Sequence, residues 1–235
     1  MNILLTGCKG YIGSVLTDEL KKEGFFIKGL DTNYYSDCLL YEYEEDYEFI
    51  KKDIRDINKE DLTDIDAVIH LAALSNDPLG EFNPKLTEEI NLKSTINLAK
   101  LSKESGVKRF IYISSQSMYG ISNTDEELDE ENSAKNPITS YAKTKWEAEC
   151  FLKEYSSENF TVVCFRPSTV FGASPRLRCD IVFNNFVACA YTTGLIEIKS
   201  DGSPWRPVIH IKDVCNAILA GLIAPTNIIK SKSFN

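Results

Sequence analysis

Tyr141 and Lys145 are separated by three residues in a segment that favours a helix after Ser140. At this spacing the two side chains lie on one face of a helix, one turn apart. An ammonium group beside a phenol favours the phenolate and lowers the phenol pKa. Tyr141 is therefore a candidate for a general base near neutral pH.

Tyr47 and Lys51 have the same spacing, and about one such pair is expected by chance in a chain of this composition. This second pair begins a predicted strand, in which four residues span about 13 Å. Its two groups therefore cannot meet closely. Position favours Tyr141, which is expected on the helix after the fifth strand.

Ser115 lies in the run Ser114-Ser115-Gln116-Ser117, directly after the fifth predicted strand. Ligands of open α/β sheets bind outside the carboxyl ends of the strands. A hydroxyl there can hold a substrate oxygen while Tyr141 takes its proton, although a serine that merely ends a strand is the alternative.

His70 falls within the fourth predicted strand and is interpreted as a satisfied core residue rather than as an acid or base.

Three glycines, Gly7-x-x-Gly10-x-x-Gly13, connect a short apolar strand to a helix. Gly7 permits a sharp turn, Gly10 lets a phosphate approach the backbone, and Gly13 lets the helix pack closely on its strand. The helix start offers unpaired N–H groups and the positive end of its dipole to an anion. This context predicts a dinucleotide pyrophosphate site, against the alternative of an ordinary tight turn.

Asp31 ends a second apolar run, residues 25–30. A carboxylate here accepts hydrogen bonds from both ribose hydroxyls of NAD and repels the 2′-phosphate of NADP. Thr32 and Asn33 offer no cation to compensate, so NAD is the expected cofactor. Asp53 ends the third predicted strand and is a candidate for contact with the adenine, or a plain turn residue.

Strand-like and helix-like segments alternate, which predicts an α/β fold: a Rossmann doubly wound parallel sheet covered on both faces. The predicted strands are 2–6, 25–30, 48–52, 67–71, 108–114 and 161–166. The predicted helices are 10–23, 83–106, a helix after Ser140, 181–193 and 212–223, with a further strand near 195–198 and an extended piece near 206–211. We expect residues 1–166 to form the dinucleotide-binding domain and 167–235 a small, incomplete substrate lobe.

The formal charge of −9 argues against nucleic acid as a partner, because phosphate contacts need clustered Lys and Arg. The seven cysteines contain no Cys-x-x-Cys pair and there are two histidines, so no metal site is expected. The thiols are typical of reduced residues in a cytoplasmic protein. No apolar stretch reaches the ~18 residues of a membrane helix and the N-terminus enters a strand directly, so neither membrane nor signal segment is expected.

An ordered set of motifs spans essentially the whole chain: Gly7-x-x-Gly10-x-x-Gly13, Asp31, Asp53-Ile54, His70-Leu71-Ala72-Ala73, Asn91, Ser114-Ser115, Tyr119-Gly120, Tyr141-x-x-x-Lys145 and Arg206-Pro207-x-x-His210. This set resembles the extended short-chain dehydrogenase/reductase family, specifically its NAD-dependent nucleotide-sugar epimerases and dehydratases. The resemblance implies a cofactor site built from backbone amides and small side chains. In it, Tyr11 and Ile12 supply amides to the pyrophosphate, Asp53 and Ile54 lie toward the adenine, and the cofactor is lined by Leu71, Ala72, Ala73 and Ser75.

The resemblance also implies the roles of the catalytic residues. Tyr141 is the base, Lys145 binds the nicotinamide ribose and Ser115 orients the substrate. Asn91 fixes the helix that bears these groups. By the same analogy Asn185 contacts the substrate, and Arg206 holds the diphosphate of a sugar nucleotide rather than being a plain surface charge.

Departures from the family pattern narrow the expected chemistry. Similar 4,6-dehydratases carry an Asp-Glu pair after the hydroxyl residue, where this chain has Gln116 and Ser117. Neither residue titrates usefully, so dehydration is disfavoured, and Gln116 also stands where the fucose-synthase type is expected to have its Cys. Thr169 replaces a substrate-binding Asn, which puts galactose-type specificity in doubt. The chain also ends earlier than family members usually do, so it is expected to be a fragment or a natural truncation.

The main hypothesis is a nucleotide-sugar 4-epimerase that acts through a transient 4-keto sugar, with Tyr141 as base and NAD as the hydride carrier. A carbonyl or 4-keto-sugar reductase that consumes NAD(P)H is the first alternative. A non-catalytic dinucleotide-binding sensor is the second, and the intact set of Ser115, Tyr141 and Lys145 argues against it. Similar proteins pair the helices near 84–105 and 140–156, so a homodimer is expected.

Overall fold

A seven-stranded sheet and a small two-stranded sheet organise the computed structural model, which describes residues 1–75, 77–121, 127–198, 200–201 and 207–235. The strands of the large sheet are β1 (Asn2–Thr6), β2 (Phe26–Asp31), β3 (Glu48–Lys51), β4 (Ala67–His70), β5 (Arg109–Ile113), β6 (Thr161–Phe165) and β9 (Lys232–Phe234). The small sheet pairs β7 (Thr169–Phe171) with β8 (Val208–His210) in parallel. All six strands predicted in the first 166 residues are confirmed, with bounds that differ by one residue at most.

The large sheet is parallel throughout, in the order β3-β2-β1-β4-β5-β6-β9. The chain builds outward from β1 to β3, then crosses back and builds outward from β4 in the other direction. The carboxyl ends of β1 and β4 therefore flank a switch point, which is where open α/β sheets bind their ligands. This arrangement confirms the predicted Rossmann doubly wound fold.

Helices cover both faces of the sheet. They are α1 (Tyr11–Lys22), α2 (Asp77–Phe82), α3 (Pro84–Glu88), α4 (Ser94–Glu104), α5 (Ser140–Tyr155), α6 (Val182–Thr193), α7 (Ile211–Ile223) and α8 (Thr226–Ile229). Alternate residues of β1 enter different cores: Ile3 and Leu5 pack with α1 and α7, whereas Leu4 packs with α4 and α5. None of the helices in the described part of the chain is long and apolar enough to cross a membrane.

The long helix predicted over 83–106 is interrupted. Asn83 caps its start by accepting from the Leu86 amide, and Gly106 follows its end with a φ of +84°. Between α3 and α4, however, residues Glu89–Lys93 form a π-helical turn. Such wide turns occur mostly as single insertions and often at functional sites.

The prediction of a strand near 195–198 is wrong. These residues follow α6 without joining either sheet, and the apolar side chains of Leu195, Ile196 and Ile198 are exposed. An apolar run forms a strand only where a neighbouring strand completes its hydrogen-bond ladder, and here none of the described strands does.

The C-terminal segments return to the large sheet. Helix α7 packs against α1, and β9 pairs with β6 at the sheet edge. The division into a domain of residues 1–166 and a lobe of 167–235 stays a prediction, with part of the second segment interleaved in the first.

Candidate active site

The glycine loop connects β1 to α1 at the switch point. Gly7 has a φ of +75° and its amide donates to the Leu30 carbonyl oxygen at 2.8 Å. A Cβ on Gly7 would lie 2.8 Å from the Ala72 amide nitrogen, and one on Gly13 would lie 2.1 Å from the Gly7 carbonyl oxygen. Side chains at either position would therefore collide with backbone. Local packing explains why both positions are glycine.

Helix α1 starts with its backbone donors at the mouth of this loop. Gly10 is its N-cap and supplies no side-chain cap, and the first turn carries no acidic residue. The first N–H groups of a helix have no partner within the helix and form the positive end of its dipole. Tyr11 and Ile12, predicted to supply amides to the pyrophosphate, are the first two residues of this turn.

Asp31 is held at the end of β2 by two backbone amides. Its Oδ2 accepts from the Lys9 amide at 3.1 Å and its Oδ1 from the Asn33 amide at 2.8 Å. Because Lys9 belongs to the glycine loop, these bonds fix the carboxylate beside the loop. This is the position from which a carboxylate binds the ribose of NAD in Rossmann folds.

Asp53 is already engaged by a neighbouring cation. Its carboxylate accepts from the Arg55 amide at 2.9 Å and from the guanidinium Nη2 at 2.8 Å. The side-chain hydrogen bond from Arg55 is the main reason that the pKa of Asp53 lies below its usual range. Ile54 is buried beside it. Contact of either residue with the adenine stays a prediction.

The segment after β4 forms the opposite wall of the switch point. The Leu71 amide donates to the Thr6 carbonyl oxygen at 3.1 Å, and the Ala72 amide donates to the Thr6 hydroxyl at 3.3 Å. Asn91, from the π-helical turn, both accepts from the Leu74 amide at 2.8 Å and donates to the Leu74 carbonyl at 3.0 Å. Asn91 is 1% exposed, so this amide pair fixes the wall to the helix α3–α4 region.

The predicted lining residues Ala73 and Ser75 continue this wall. Ser75 accepts from the Arg178 guanidinium at its hydroxyl, 3.1 Å, and at its carbonyl oxygen, 3.3 Å. Arg178 comes from the segment after β7, so the wall is joined to the C-terminal third of the chain. The role of Ala73 and Ser75 as cofactor contacts stays a prediction.

Tyr141 and Lys145 lie one turn apart on α5. The Lys145 ammonium donates to the Ile113 carbonyl oxygen at 2.7 Å and lies 6.0 Å from the centroid of the Tyr141 ring. The Lys145 side chain is buried, and burial lowers its pKa to about 7. In its protonated form, an ammonium held this close to a phenol favours the phenolate.

Ser115 lies two residues beyond Ile113, at the carboxyl end of β5. Its hydroxyl accepts from the Ser117 amide at 3.1 Å and contacts the Ser117 hydroxyl at 3.0 Å, so its orientation is defined. Lys145 and Ser115 are therefore anchored to the same strand end. Gln116 and Ser117 form the short helical turn that follows.

His70 is confirmed as a satisfied core residue. Its Nδ1 is 2.7 Å from the Thr6 hydroxyl and its Nε2 is 2.8 Å from the Thr95 hydroxyl. Burial lowers its pKa to about 3, which keeps the imidazole neutral. It therefore supports the switch point rather than exchanging protons with a substrate.

Of the two predicted substrate contacts, Asn185 lies within the described residues and Arg206 does not. Asn185 lies on the exposed side of α6, where it donates to the Cys179 carbonyl oxygen at 3.0 Å. Both roles stay predictions.

The sequence analysis missed several residues that reach the site from distant segments. Asn184, the neighbour of Asn185, is buried and donates to the Tyr11 hydroxyl at 3.1 Å. The Tyr11 hydroxyl in turn donates to the Gly172 carbonyl oxygen at 2.8 Å. Arg178 contacts Ser75, as described above. The predicted helix over 181–193 already contained Asn184. The sequence alone, however, does not show which of the adjacent residues Asn184 and Asn185 faces the site, because that depends on the orientation of α6.

The fold and the glycine loop define a dinucleotide-binding protein of the Rossmann type. The chain belongs to the family described as "NAD dependent epimerase/dehydratase family", whose pattern it matches over residues 3–235. It is therefore related to enzymes of the extended short-chain dehydrogenase/reductase type, as the sequence analysis expected.

Individual relatives include both epimerases and dehydratases. The chain is 31% identical over 231 residues to the dTDP-D-glucose 4,6-dehydratase of Homo sapiens, covering 94% of this chain and 65% of that protein. It is 29% identical to the UDP-glucuronate 4-epimerase of Thermodesulfobacterium geofontis, covering 93% of this chain and 71% of that protein. The chain thus spans about two thirds of the length of these two relatives.

A solved structure shows the same architecture with its ligands present. It is the UDP-glucuronic acid 4-epimerase from Bacillus cereus in complex with UDP-glucuronic acid and NAD, at 28% identity and a TM-score of 0.83. The match covers 99% of this chain and 76% of that chain. NAD is the cofactor of the family, and the glycine loop, the start of α1 and the position of Asp31 fit it.

Proposed function

We propose that this chain is a NAD-dependent nucleotide-sugar epimerase that acts at C4 of the sugar. The observation that carries the proposal is the anchoring of Lys145 at the end of β5. This bond joins the face of α5 that bears Tyr141 to the strand that leads to Ser115. A base, a cation and an orienting hydroxyl are what reversible oxidation of a sugar hydroxyl requires.

The chain's own residues would manage the proton and the orientation of the sugar. When bound, NAD supplies a two-electron acceptor that can take up a hydride and return it. The Tyr141 phenolate oxygen would take the proton of the C4 hydroxyl and give it back when the hydroxyl forms again. Ser115 Oγ would hold the same sugar oxygen. Lys145 would bind the nicotinamide ribose and, in its protonated form, favour the phenolate.

The pair Gln116 and Ser117 supports epimerisation over dehydration. Elimination of water from a sugar needs an acid and a base beside the leaving hydroxyl, and neither side chain titrates in the useful range. The similarity to a dTDP-D-glucose 4,6-dehydratase therefore does not decide the reaction. A nucleotide sugar remains the substrate class, supported by the names of the relatives and by the predicted diphosphate contact of Arg206.

Product analysis tests the proposal. The chain is incubated with NAD⁺ and, separately, with UDP-glucose, UDP-glucuronic acid and dTDP-glucose, and the products are identified by proton NMR. The expected product is the C4 epimer, formed without net change in NADH absorbance and absent with Tyr141→Phe. A 4-keto-6-deoxy sugar would show a dehydratase. In a separate incubation with NADH and a 4-keto sugar, stoichiometric loss of NADH would show a reductase.

A homodimer and a cytoplasmic location complete the proposal. Helices α4 and α5 lie side by side on one face of the sheet, which leaves them available to pair with a second copy as a four-helix bundle. The seven cysteines are free thiols, which suits a reducing compartment. Light scattering at several protein concentrations tests the dimer.

A further inference from the structure

A cavity of about 390 Å³ lies beside Asp31, between the glycine loop and the segment that connects β2 to β3. Its lining includes two cations, Lys9 and Arg176, and two acids, Glu42 and Glu45. Asn33, whose amide binds Asp31, also lines it. The cavity therefore adjoins the carboxylate expected to bind the ribose hydroxyls of NAD, where the 2′-phosphate of NADP would have to lie.

Lys9 is fixed in the wall of this cavity. Its amide donates to Asp31, while its ammonium is paired with the Glu45 carboxylate. The ammonium also lies 4.6 Å from the centroid of the Phe49 ring and 5.4 Å from that of Tyr47, within cation–π range. Its side chain is 9% exposed. A buried ammonium needs a counter-charge, and Glu45 supplies it.

Glu45 keeps its negative charge in this setting. Burial opposes its ionisation, but hydrogen bonds from Lys9 and Tyr43 outweigh burial and hold the pKa of Glu45 below its usual range. Arg176, the other cation, stacks 4.4 Å from the centroid of the Tyr35 ring and donates to the Cys38 carbonyl oxygen at 2.9 Å. Both cations are therefore engaged by the segment between β2 and β3.

The balance of charge around this cavity decides whether NAD or NADP binds beside Asp31. Two cations beside the ribose would attract a 2′-phosphate, because opposite charges a few ångströms apart interact strongly where water is partly excluded. With Glu45 in place the Lys9 charge is already matched, and Asp31 and Glu42 add negative potential. Thr32 and Asn33 offer no cation beside Asp31, as expected from the sequence, but Lys9 brings one to the cavity from a distant position in the chain.

We propose that Glu45 is a cofactor-specificity residue that holds Lys9 in an ion pair and so prevents Lys9 from binding the 2′-phosphate of NADP. Glu45 thus acts together with Asp31 in selecting NAD. The inference rests on the NAD site of the proposed function but not on the identity of the sugar. It concerns binding alone and involves no chemical step.

Calorimetric titration of the chain with NAD⁺ and with NADP⁺ tests this role. Glu45→Gln is expected to lower the Kd for NADP⁺ about tenfold, equivalent to about 1.4 kcal/mol, and to leave the Kd for NAD⁺ within about twofold. Glu44→Gln is the matched control, since it removes the same charge from the same segment at an exposed residue that does not line the cavity. It is expected to change neither affinity.

Two Lys9 variants test whether Lys9 is the residue that binds the 2′-phosphate of NADP⁺ once Glu45 is replaced. Lys9→Gln combined with Glu45→Gln is expected to lose the gain in NADP⁺ affinity. Lys9→Gln alone is expected to leave NADP⁺ affinity unchanged, which tests the proposal even where a Glu45 variant does not fold. The proposal is overturned if Glu45→Gln changes both affinities equally or neither, if the gain survives without Lys9, or if Lys9→Gln alone weakens NADP⁺ tenfold. Failure to convert any nucleotide sugar would refute the proposed function and leave these binding results standing.

Discussion

Lys145 donates a hydrogen bond to the carbonyl oxygen of Ile113 at 2.7 Å, so the ammonium is fixed to the end of β5. The side chain is 4% exposed, and burial lowers its pKa to about 7 from 10.5. Below pH 7 the folded chain therefore keeps a charged group out of water. Between about pH 7 and 10.5 the folded chain has released this proton while the unfolded chain still holds it.

The sign of the resulting pH dependence follows from these two pKa values. Where the unfolded state binds more protons, the free energy of unfolding rises with pH, so the cost of Lys145 is largest below pH 7. We expect Lys145→Met to stabilise the cofactor-free chain by roughly 1 to 4 kcal/mol at pH 6, and by less at pH 9. Urea unfolding at the two pH values measures the difference. Lys143→Met, at an exposed position on the same helix, should show no such dependence.

Replacement of the proposed base separates chemistry from binding. Tyr141→Phe is expected to lower kcat by about 10²- to 10⁴-fold, since it removes the proton acceptor and little volume. The Kd for NAD⁺ should stay within about threefold. Tyr47→Phe is the matched control, because Tyr47 has the same spacing to a lysine but precedes β3. Comparable losses of kcat in the two variants would contradict the proposal that Tyr141 is the base.

The sheet and the glycine loop could be predicted because their signals are local. An apolar run, residues 3–5, precedes the glycines of the Gly-x-x-Gly-x-x-Gly pattern, and Asp31 ends the next strand. Each of these features depends on residues close in sequence. The right-handedness of parallel crossovers then limits the strand orders that such a chain can adopt.

The contacts that complete the site could not be predicted, because they join segments distant in sequence. Glu45 reaches Lys9 through a long connection between β2 and β3, and Asn184 meets Tyr11 across most of the chain. Such contacts depend on how a loop folds or how a helix is rotated. The strand expected at residues 195–198 failed for a related reason, since pairing partners are not a local property.

Arg178 is predicted to tune the proton affinity of Tyr141. Its guanidinium interacts electrostatically with the Tyr141 phenol and is fixed by Ser75 and Asp180. Arg178→Gln removes this positive charge and so raises the pKa of the phenol. We expect the acid limb of the kcat/KM profile to move upward by about half a pH unit, with the activity loss larger at pH 6 than at pH 9.

Two further variants distinguish this electrostatic effect from a loss of structure. Arg178→Lys keeps the charge and should restore most of the wild-type pH profile. Arg176→Gln removes a charge from the same segment, where Arg176 donates to the Cys38 carbonyl oxygen rather than to Ser75. At saturating NAD⁺ its profile should match that of the wild type. An unchanged profile for Arg178→Gln would contradict the prediction.

Glu149 and Arg166 form a fully buried ion pair between α5 and the residue that follows β6. Arg166 Nε donates to Glu149 Oε1 at 3.0 Å, and both side chains are 0% exposed. The Ser233 hydroxyl, from β9, donates to the same carboxylate oxygen at 2.7 Å. Arg166 Nη1 also donates to the Tyr119 hydroxyl at 2.7 Å. The network therefore ties α5, the segment after β5 and the last strand to one buried charge pair.

Removal of the acid should be costly, because it leaves a buried guanidinium without its counter-charge. Glu149→Gln is expected to lower the free energy of unfolding by about 3 to 5 kcal/mol, measured by urea denaturation near neutral pH. Replacement of both charges, Glu149→Met with Arg166→Leu, should recover much of the loss, since no isolated charge remains. Glu19→Gln, which breaks the exposed pair with Lys22, should leave the midpoint close to the wild type. A Glu149 variant as stable as this control would show that Arg166 does not depend on Glu149 for its burial.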